Sequence, residues 1–255
     1  MNYQKIWLVS LLLSALTSSA WAQRAAPSTD SARARAPVDL TGTWVSVVTE
    51  DWAWRMQTPR KGDYASVPLN DEGRRVADTW TQALDGSCLA FGAAAALRQP
   101  TRLRIQWQDD STLKIETDNG QQTRLLRFGV NSADVSVPRS LQGYSIASWQ
   151  TADSVTGSGA DGGIVTTMLD APPWASLKVE TSRMFAAWLR PNGVPYSENA
   201  KLTEYFDVIA VDDDRWFAVT TIVEDPAYLT EPFVISSNFQ REPDAANWSP
   251  IACKQ

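Results

Sequence analysis

Apolar and polar residues alternate along most of the chain, which is the pattern of half-buried β-strands. The alternating runs cover residues 39–48, 103–107, 113–117, 123–128, 144–149, 177–181, 203–211, 216–223 and 233–239. Short turns separate several of them, and the sequence Asp118-Asn119-Gly120 is typical of a hairpin. This arrangement predicts an all-β fold, which we expect to be an antiparallel lipocalin-like barrel or, alternatively, a β-sandwich.

One stretch has helical spacing instead of strict alternation. Val76, Trp80 and Leu84 recur every four residues, and Asn70 is a residue type that caps helix N-termini well. The sequence therefore predicts one short helix, from Asp71 to about Leu84.

The first 22 residues have the features of a secretory signal peptide. Lys5 precedes an apolar stretch over residues 6–16, and Ala20-Trp21-Ala22 is a small-x-small cleavage site. The apolar stretch is too short to span a bilayer, although a retained amphipathic anchor is an alternative. We expect a disordered leader over residues 23–38 and a single β-barrel domain over residues 39–255, without a membrane span, in the periplasm or secreted.

Export affects the interpretation of the two cysteines, Cys88 and Cys253. Disulfides persist in oxidising compartments, so this isolated pair predicts a bond that ties the C-terminal tail to the body of the protein. Two free thiols or an intermolecular bond are the alternatives. Redox catalysis is not expected, because the chain has no C-x-x-C motif.

Composition excludes several functional classes. The 255 residues include 23 Lys and Arg against 29 Asp and Glu, and the net charge of −6 argues against nucleic-acid binding. The chain has no histidine, which removes the commonest general base, the usual zinc ligand and every histidine-containing catalytic triad. The acidic clusters fit solvated turns better than calcium sites, so we predict neither a metal nor a cofactor.

Tryptophan is unusually abundant, with 12 residues in the chain. Core packing is one explanation, but indole rings also suit a cavity for an apolar or aromatic ligand. If residues 52–55 are extended, Trp52 and Trp54 lie on one face and Arg55 on the other. The predicted ligand-binding residues are Trp52, Trp54, Arg55, Trp149, Trp174 and Trp188.

Without histidine, acid–base chemistry would depend mainly on carboxyl and phenol groups. Glu204 shares a strand face with apolar residues and is predicted to point inward. Because an apolar interior favours the neutral form of a carboxyl group, such a group can exchange protons near neutral pH. Tyr196 and Tyr144 are the predicted catalytic partners. The alternative is a structural ion pair between Glu204 and an arginine such as Arg124 or Arg183.

Several motifs occur in order along the chain. Gly42-Thr43-Trp44 is similar to the G-x-W at the first strand of lipocalin-like barrels, where the Trp closes one end. The later motifs are G-x-S-x-x-x-W (143–149), L-x-V-x-T (177–181), G-x-P-x-S (193–197), E-x-F (204–206) and D-P-x-x-x-T-x-P (225–232). This set resembles a largely uncharacterised family of exported bacterial β proteins, many of which have His at the positions of Tyr144 and Tyr196. The resemblance implies a β-barrel fold and no established reaction.

Two functions follow as hypotheses, and an interaction module for other envelope proteins is a third, weaker alternative. The first is an exported protein that binds a small hydrophobic or aromatic molecule in an aromatic-lined pocket. The second is a cofactor-independent lyase, hydratase or isomerase acting on a similar molecule through Glu204 and the tyrosines.

Overall fold

A closed β-barrel dominates the described part of the computed structural model, which covers residues 30–132, 136–151, 175–211 and 214–255. The predicted signal peptide, Trp174 and the acidic residues at 153, 161, 212 and 213 lie outside these residues. Nine strands form the barrel, and residues 102–105 pair with residues 42–45 to close it. The predicted all-β barrel is therefore confirmed.

The barrel strands coincide with the alternating runs of the sequence. They are β1 (Gly42–Val47), β2 (Arg102–Trp107), β3 (Thr112–Thr117), β5 (Thr123–Phe128), β6 (Tyr144–Thr151), β7 (Ala175–Ser182), β10 (Lys201–Val211), β11 (Asp214–Glu224) and β12 (Phe233–Glu242). Their order around the barrel is β1-β12-β11-β10-β7-β6-β5-β3-β2, with β2 paired to β1. Outside the barrel, β4 (Asn119–Gly120) pairs with β13 (Ile251–Ala252), and β8 (Ala187–Arg190) pairs with β9 (Val194–Tyr196).

One pair of barrel strands departs from the expected antiparallel order. Strands β5 and β6 run parallel, with Leu126 opposite Ser145 and Phe128 opposite Ala147. A parallel pair cannot be joined by a tight hairpin, because the chain has to return to the starting end of the barrel. The long segment between Phe128 and Tyr144 provides this return.

Two apolar clusters fill the protein at different levels. The first occupies the barrel interior and includes Leu103, Leu126, Phe206 and Phe217. The second covers one end of the barrel, where the inward-facing Leu202 and its neighbours meet the loops and short helices. Alternation along the strands directs these side chains inward.

Trp44 belongs to the apolar cluster inside the barrel. Its side chain is fully buried, its indole Nε1 donates to the carbonyl of Leu40 at 2.9 Å, and its ring meets Phe217 edge-on at 4.7 Å. Gly42 has a φ of +129°, and a Cβ there would lie 3.2 Å from Nε of Arg241. Glycine therefore relieves both backbone strain and crowding at this position.

The helical segments are shorter and more numerous than predicted. The described α-helices are α1 (Trp52–Arg55), α2 (Asp71–Ala77) and α3 (Ala93–Ala96), with 3₁₀ turns at Gln82–Leu84 and Cys88–Phe91. Asn70 caps α2 as predicted, because its side-chain oxygen accepts from the amide of Gly73 at 2.8 Å. The predicted continuation to Leu84 is wrong, because α2 ends at Ala77. Just after this end the Thr79 hydroxyl donates to the Val76 carbonyl at 2.7 Å, and the side chain of Trp80 is buried.

Residues 30–38, which we expected to be a disordered leader, form turns against the barrel. The amide of Arg33 donates to the carbonyl of Asp110 at 3.1 Å, and Ala32 packs on the first apolar cluster. A small apolar side chain and a capped turn are sufficient to hold this short segment in place.

The disulfide between Cys88 and Cys253 is confirmed, with the two Cα atoms 4.9 Å apart. Backbone hydrogen bonds hold the same segment, from the amide of Cys88 to the carbonyl of Lys254 and from the amide of Lys254 to the carbonyl of Gly86, both at 2.8 Å. The C-terminal tail is therefore fixed on the outside of the barrel.

Candidate functional site

A buried ion pair between Arg124 and Glu204 lies inside the barrel. Nη1 and Nη2 of Arg124 donate to Oε1 and Oε2 of Glu204 at 3.0 and 2.6 Å, and both side chains are 1% exposed. Nη2 also reaches Thr181 Oγ1 at 3.3 Å, and that hydroxyl meets Ser145 Oγ at 2.8 Å. Period-2 counting thus oriented Glu204 correctly, and its partner is Arg124.

This polar group separates the two apolar clusters. Along β10, Leu202 belongs to the end cluster and Phe206 to the barrel cluster, with Glu204 between them. The same change occurs on β11, where buried Thr221 lies between Val223 and Val219. Opposite charges that bond each other can be buried at this level, whereas either charge alone would be costly.

The two predicted catalytic tyrosines lie in different environments. Tyr196 is fully buried in the end cluster, and its hydroxyl has no hydrogen-bond partner among the described residues. Burial raises the pKa of Tyr196 above its ordinary value, and the nearby charge of Arg124 opposes the rise. The phenol therefore remains protonated at physiological pH.

Tyr144 does not join Glu204 and Tyr196. It faces the outside of β6, where the guanidinium carbon of Arg127 lies 4.3 Å from the centre of its ring. The inward residue at this level is Ser145. Tyr144 and Trp149 are five positions apart on β6. Because this spacing is odd, the two side chains lie on opposite faces of the strand. Strand alternation alone therefore excluded a pocket that contains both residues.

Residues from separate sequence motifs meet in the fold. Ser145 of the first motif bonds Thr181 of the second. Ser197 of the third motif binds Asp225 of the last one twice, through its amide at 2.6 Å and its hydroxyl at 2.8 Å. These contacts give the motif residues structural roles in joining strands and loops.

The predicted aromatic pocket is not assembled from Trp52, Trp54 and Arg55. These residues form helix α1 instead of an extended strand, because the amides of Trp54 and Arg55 both bond the carbonyl of Asp51. Trp52 is 67% exposed, whereas Nε1 of Trp54 donates to Asp63 at 3.0 Å. Arg55 is buried and its Nε donates to the carbonyl of Arg98 at 2.8 Å.

The other predicted pocket residues lie elsewhere. Trp149 is at the barrel interior, where its ring stacks on Phe128 with centroids 6.0 Å apart. Trp188 lies on β8 opposite Pro195, in a two-stranded sheet separate from the barrel sheet. The five described members of the predicted set thus occupy three separate regions.

A different concave surface lies on the outside of the barrel. It is a groove of about 720 Å³ with apolar side chains on the outer face of β1, at the end of α1 and in the C-terminal tail. Its apolar lining residues include Val45, Val47, Met56, Pro100 and Ile251. Met56 and Ile251 are 57% and 64% exposed, so the groove presents two large apolar side chains to solvent.

The polar residues at the groove are held in place by the protein. Asp118 Oδ1 accepts from the amide of Arg102 and from the hydroxyl of Thr101 at 2.7 and 2.9 Å. Arg102 pairs with Glu242 at 3.0 Å. Because these groups already bond each other, the surface available to a ligand is mainly apolar.

This groove was not predicted from the sequence. Its walls come from residues near 45, 56, 100, 118 and 251, which are far apart in the chain. The one available signal was the Cys88–Cys253 pair. A disulfide at Cys253 holds the C-terminal tail against the rest of the protein, and this tail forms one wall of the groove.

Comparison with protein-family models, curated proteins and solved structures finds no match for this chain. The resemblance to exported bacterial β proteins therefore depends on the sequence motifs alone. None of the helices within the described ranges has the length and apolar character needed to cross a membrane. Within the same ranges, no group of three or more acidic or cysteine side chains is arranged to hold a metal ion.

Proposed function

We propose that this protein binds a small hydrophobic or aromatic molecule outside the cytoplasm, in the groove beside the C-terminal tail. The observation that carries the proposal is the groove itself, with about 720 Å³ of space and a mainly apolar lining. Ligand sites in proteins have volumes of about 300–1,000 Å³, an apolar lining and a few fixed polar groups.

The exposed side chains support this site. Met56 and Ile251 come from two different segments, and both line the groove with largely exposed apolar side chains. A bound apolar molecule would remove this apolar surface from water, which is favourable. Methionine also adapts its shape to different apolar ligands. The disulfide next to Ile251 supports both a fixed groove wall and an oxidising location.

A titration with the apolar fluorophore N-phenyl-1-naphthylamine tests the proposal. We expect saturable fluorescence enhancement with one site per chain. Ile251→Glu places a charge in the groove and should weaken binding about tenfold or more, because one buried apolar side chain contributes about 1.5–3 kcal/mol.

Ile209→Glu is the matched control. Ile209 is also an exposed isoleucine, at 46%, but it lies on β10 and does not line the groove. Binding of the fluorophore should be unchanged in this variant. Equal loss in both variants, or the absence of saturation in the unmodified protein, would exclude the groove as the site.

The alternative, an enzyme acting through Glu204, has weaker support. Both carboxylate oxygens of Glu204 are bound by Arg124, and Glu204 and Tyr196 are fully buried. A substrate would have to displace the ion pair before reaching either group. Glu204→Gln separates the hypotheses, because a binding protein should leave the apolar ligand chemically unchanged with or without this substitution.

A further inference from the structure

Three arginine side chains are buried together beneath helix α1. Arg55 and Arg98 are each 5% exposed, and Arg190 at the end of β8 is 0% exposed. Buried guanidinium groups normally use their donors fully, because an unpaired buried charge is costly. The partners of these three groups are therefore informative.

Arg55 and Arg98 are only partly satisfied. Nη1 of Arg55 bonds Glu50, and Nη2 of Arg98 bonds Asp51 at 2.7 Å. Nη2 of Arg55 and Nη1 of Arg98 are buried without an acceptor among the described residues.

Arg190 has no acceptor at all in the described part of the chain. Its Nε, Nη1 and Nη2 are all buried and unpaired. The guanidinium lies over the ring of Trp54, 5.4 Å from its centre, which positions the group but uses none of its N–H donors.

The three groups are close enough to influence one another. Burial, together with the charges of Arg190 and Arg55, lowers the pKa of Arg98 to about 10, although Asp51 and Glu50 oppose this. Burial also lowers the pKa of Arg190, against the opposing charges of Asp51 and Asp63. All three remain protonated at neutral pH.

The neighbouring carboxylates are directed to other donors. Asp51 bonds Arg98, Asp63 accepts from Trp54 Nε1 at 3.0 Å, and Glu50 bonds Arg55. Their charges balance the cluster overall, but no oxygen atom of theirs bonds Arg190. The cluster therefore has unpaired N–H donors but no surplus of positive charge.

A cavity of about 270 Å³ lies next to the cluster. Its lining includes Glu50 and Asp51, which bond Arg55 and Arg98, and Phe233, whose ring centre is 5.8 Å from the Arg98 guanidinium carbon. The three arginines are not among its lining residues.

We propose that this arginine cluster is a binding site for a small oxyanion, held mainly by Arg190 with the unpaired nitrogens of Arg98 and Arg55. An oxyanion supplies several acceptor oxygens at once, which matches the fork of a guanidinium group. Carboxylate, phosphate and sulfate share this chemistry. The site is separate from the groove and does not depend on the proposed function.

Arginine side-chain NMR tests the proposal in the unmodified protein. The Nε–H signals would be followed during additions of sodium phosphate, sulfate or acetate at constant ionic strength, with chloride as the balancing salt. We expect the Arg190 signal to shift saturably with at least one oxyanion. The three salts distinguish a tetrahedral anion from a carboxylate.

Arg124 is an internal control, because its Nε is also buried and unpaired while Glu204 neutralises its charge. Its signal should stay unchanged. No saturable shift at Arg190 with any of the three salts, or an equal shift at Arg124, would overturn the proposal.

Substitution provides a second measurement. Arg190→Lys keeps the positive charge but removes the planar set of guanidinium N–H donors. The oxyanion concentration at half-saturation in a thermal-shift titration should therefore rise about tenfold or more. Arg75→Gln, on the exposed face of α2, should leave that concentration unchanged. If Arg190→Lys does not fold, the spectrum of the unmodified protein still decides.

Discussion

The ion pair between Arg124 and Glu204 makes a quantitative prediction about stability. Each side chain is 1% exposed, and Glu204 receives two bonds from the guanidinium. Glu204→Leu would leave a buried guanidinium with only the 3.3 Å contact to Thr181. Arg124→Met would leave a buried carboxylate without its donors. Each change should lower the free energy of unfolding by about 3–5 kcal/mol.

The double variant Arg124→Met/Glu204→Leu should behave differently. It replaces both charged side chains with apolar side chains of similar length. Such a replacement of a buried ion pair often leaves the free energy of unfolding unchanged or raises it. We therefore expect the double variant to be more stable than either single variant, although it contains both changes. This reversal is the distinctive result, because independent contributions would add.

Equilibrium unfolding in urea, followed by tryptophan fluorescence, measures these free energies. Glu180→Leu is the control, since Glu180 forms a 3.2 Å pair with Lys178 but is 60% exposed. Exposed pairs contribute about 0–1 kcal/mol, so this variant should be nearly as stable as the unmodified protein. If the double variant loses the sum of the two single losses, the pair is not the coupled unit described above.

Three further predictions concern the tail, a buried phenol and an exposed indole. Replacing Cys88 and Cys253 with Ser should lower the free energy of unfolding by up to about 4–5 kcal/mol in urea and weaken fluorophore binding, because the tail is no longer fixed. Burial and the 2.7 Å bond to Asp78 raise the pKa of Tyr64 to about 12. The folded state thus holds this proton more tightly, and Tyr64→Phe should cost about 1.5–3 kcal/mol below pH 10 but progressively less between pH 10 and 12, as measured by urea unfolding at each pH. Trp52→Ala should change the melting temperature little, since this side chain is 67% exposed, and a large decrease would contradict its placement.

Local alternation was sufficient to predict the barrel strands and the inward direction of Glu204. It did not predict the parallel pairing of β5 and β6, because the pairing depends on how a long connection returns across the barrel. Helix α1 was missed for a local reason: Asp51 adopts a left-handed conformation with a φ of +50°, from which the chain turns into a helix. The residue type alone does not reveal this conformation.

The candidate site was predictable only in part. The sequence predicted that Glu204 is buried and that Arg124 or Arg183 is its partner. Arg183 is not that partner, because its Nε and Nη2 donate to the carbonyl of Val137 at 3.0 and 2.8 Å. The groove and the arginine cluster join residues that are distant in the chain. No pattern within one segment links Met56 to Ile251, or Arg55 to Arg190.

The central claim is that a small apolar molecule binds in the groove, and methionine methyl NMR tests it most directly. The chain has four methionines, of which Met56 lines the groove and Met184 is fully buried in the end cluster. An aromatic ligand such as N-phenyl-1-naphthylamine shifts the signals of methyl groups near its rings. We predict a saturable shift of the Met56 methyl signal with the Met184 signal unchanged. An unshifted Met56 signal at saturating ligand, or a shift of Met184 alone, would contradict the account.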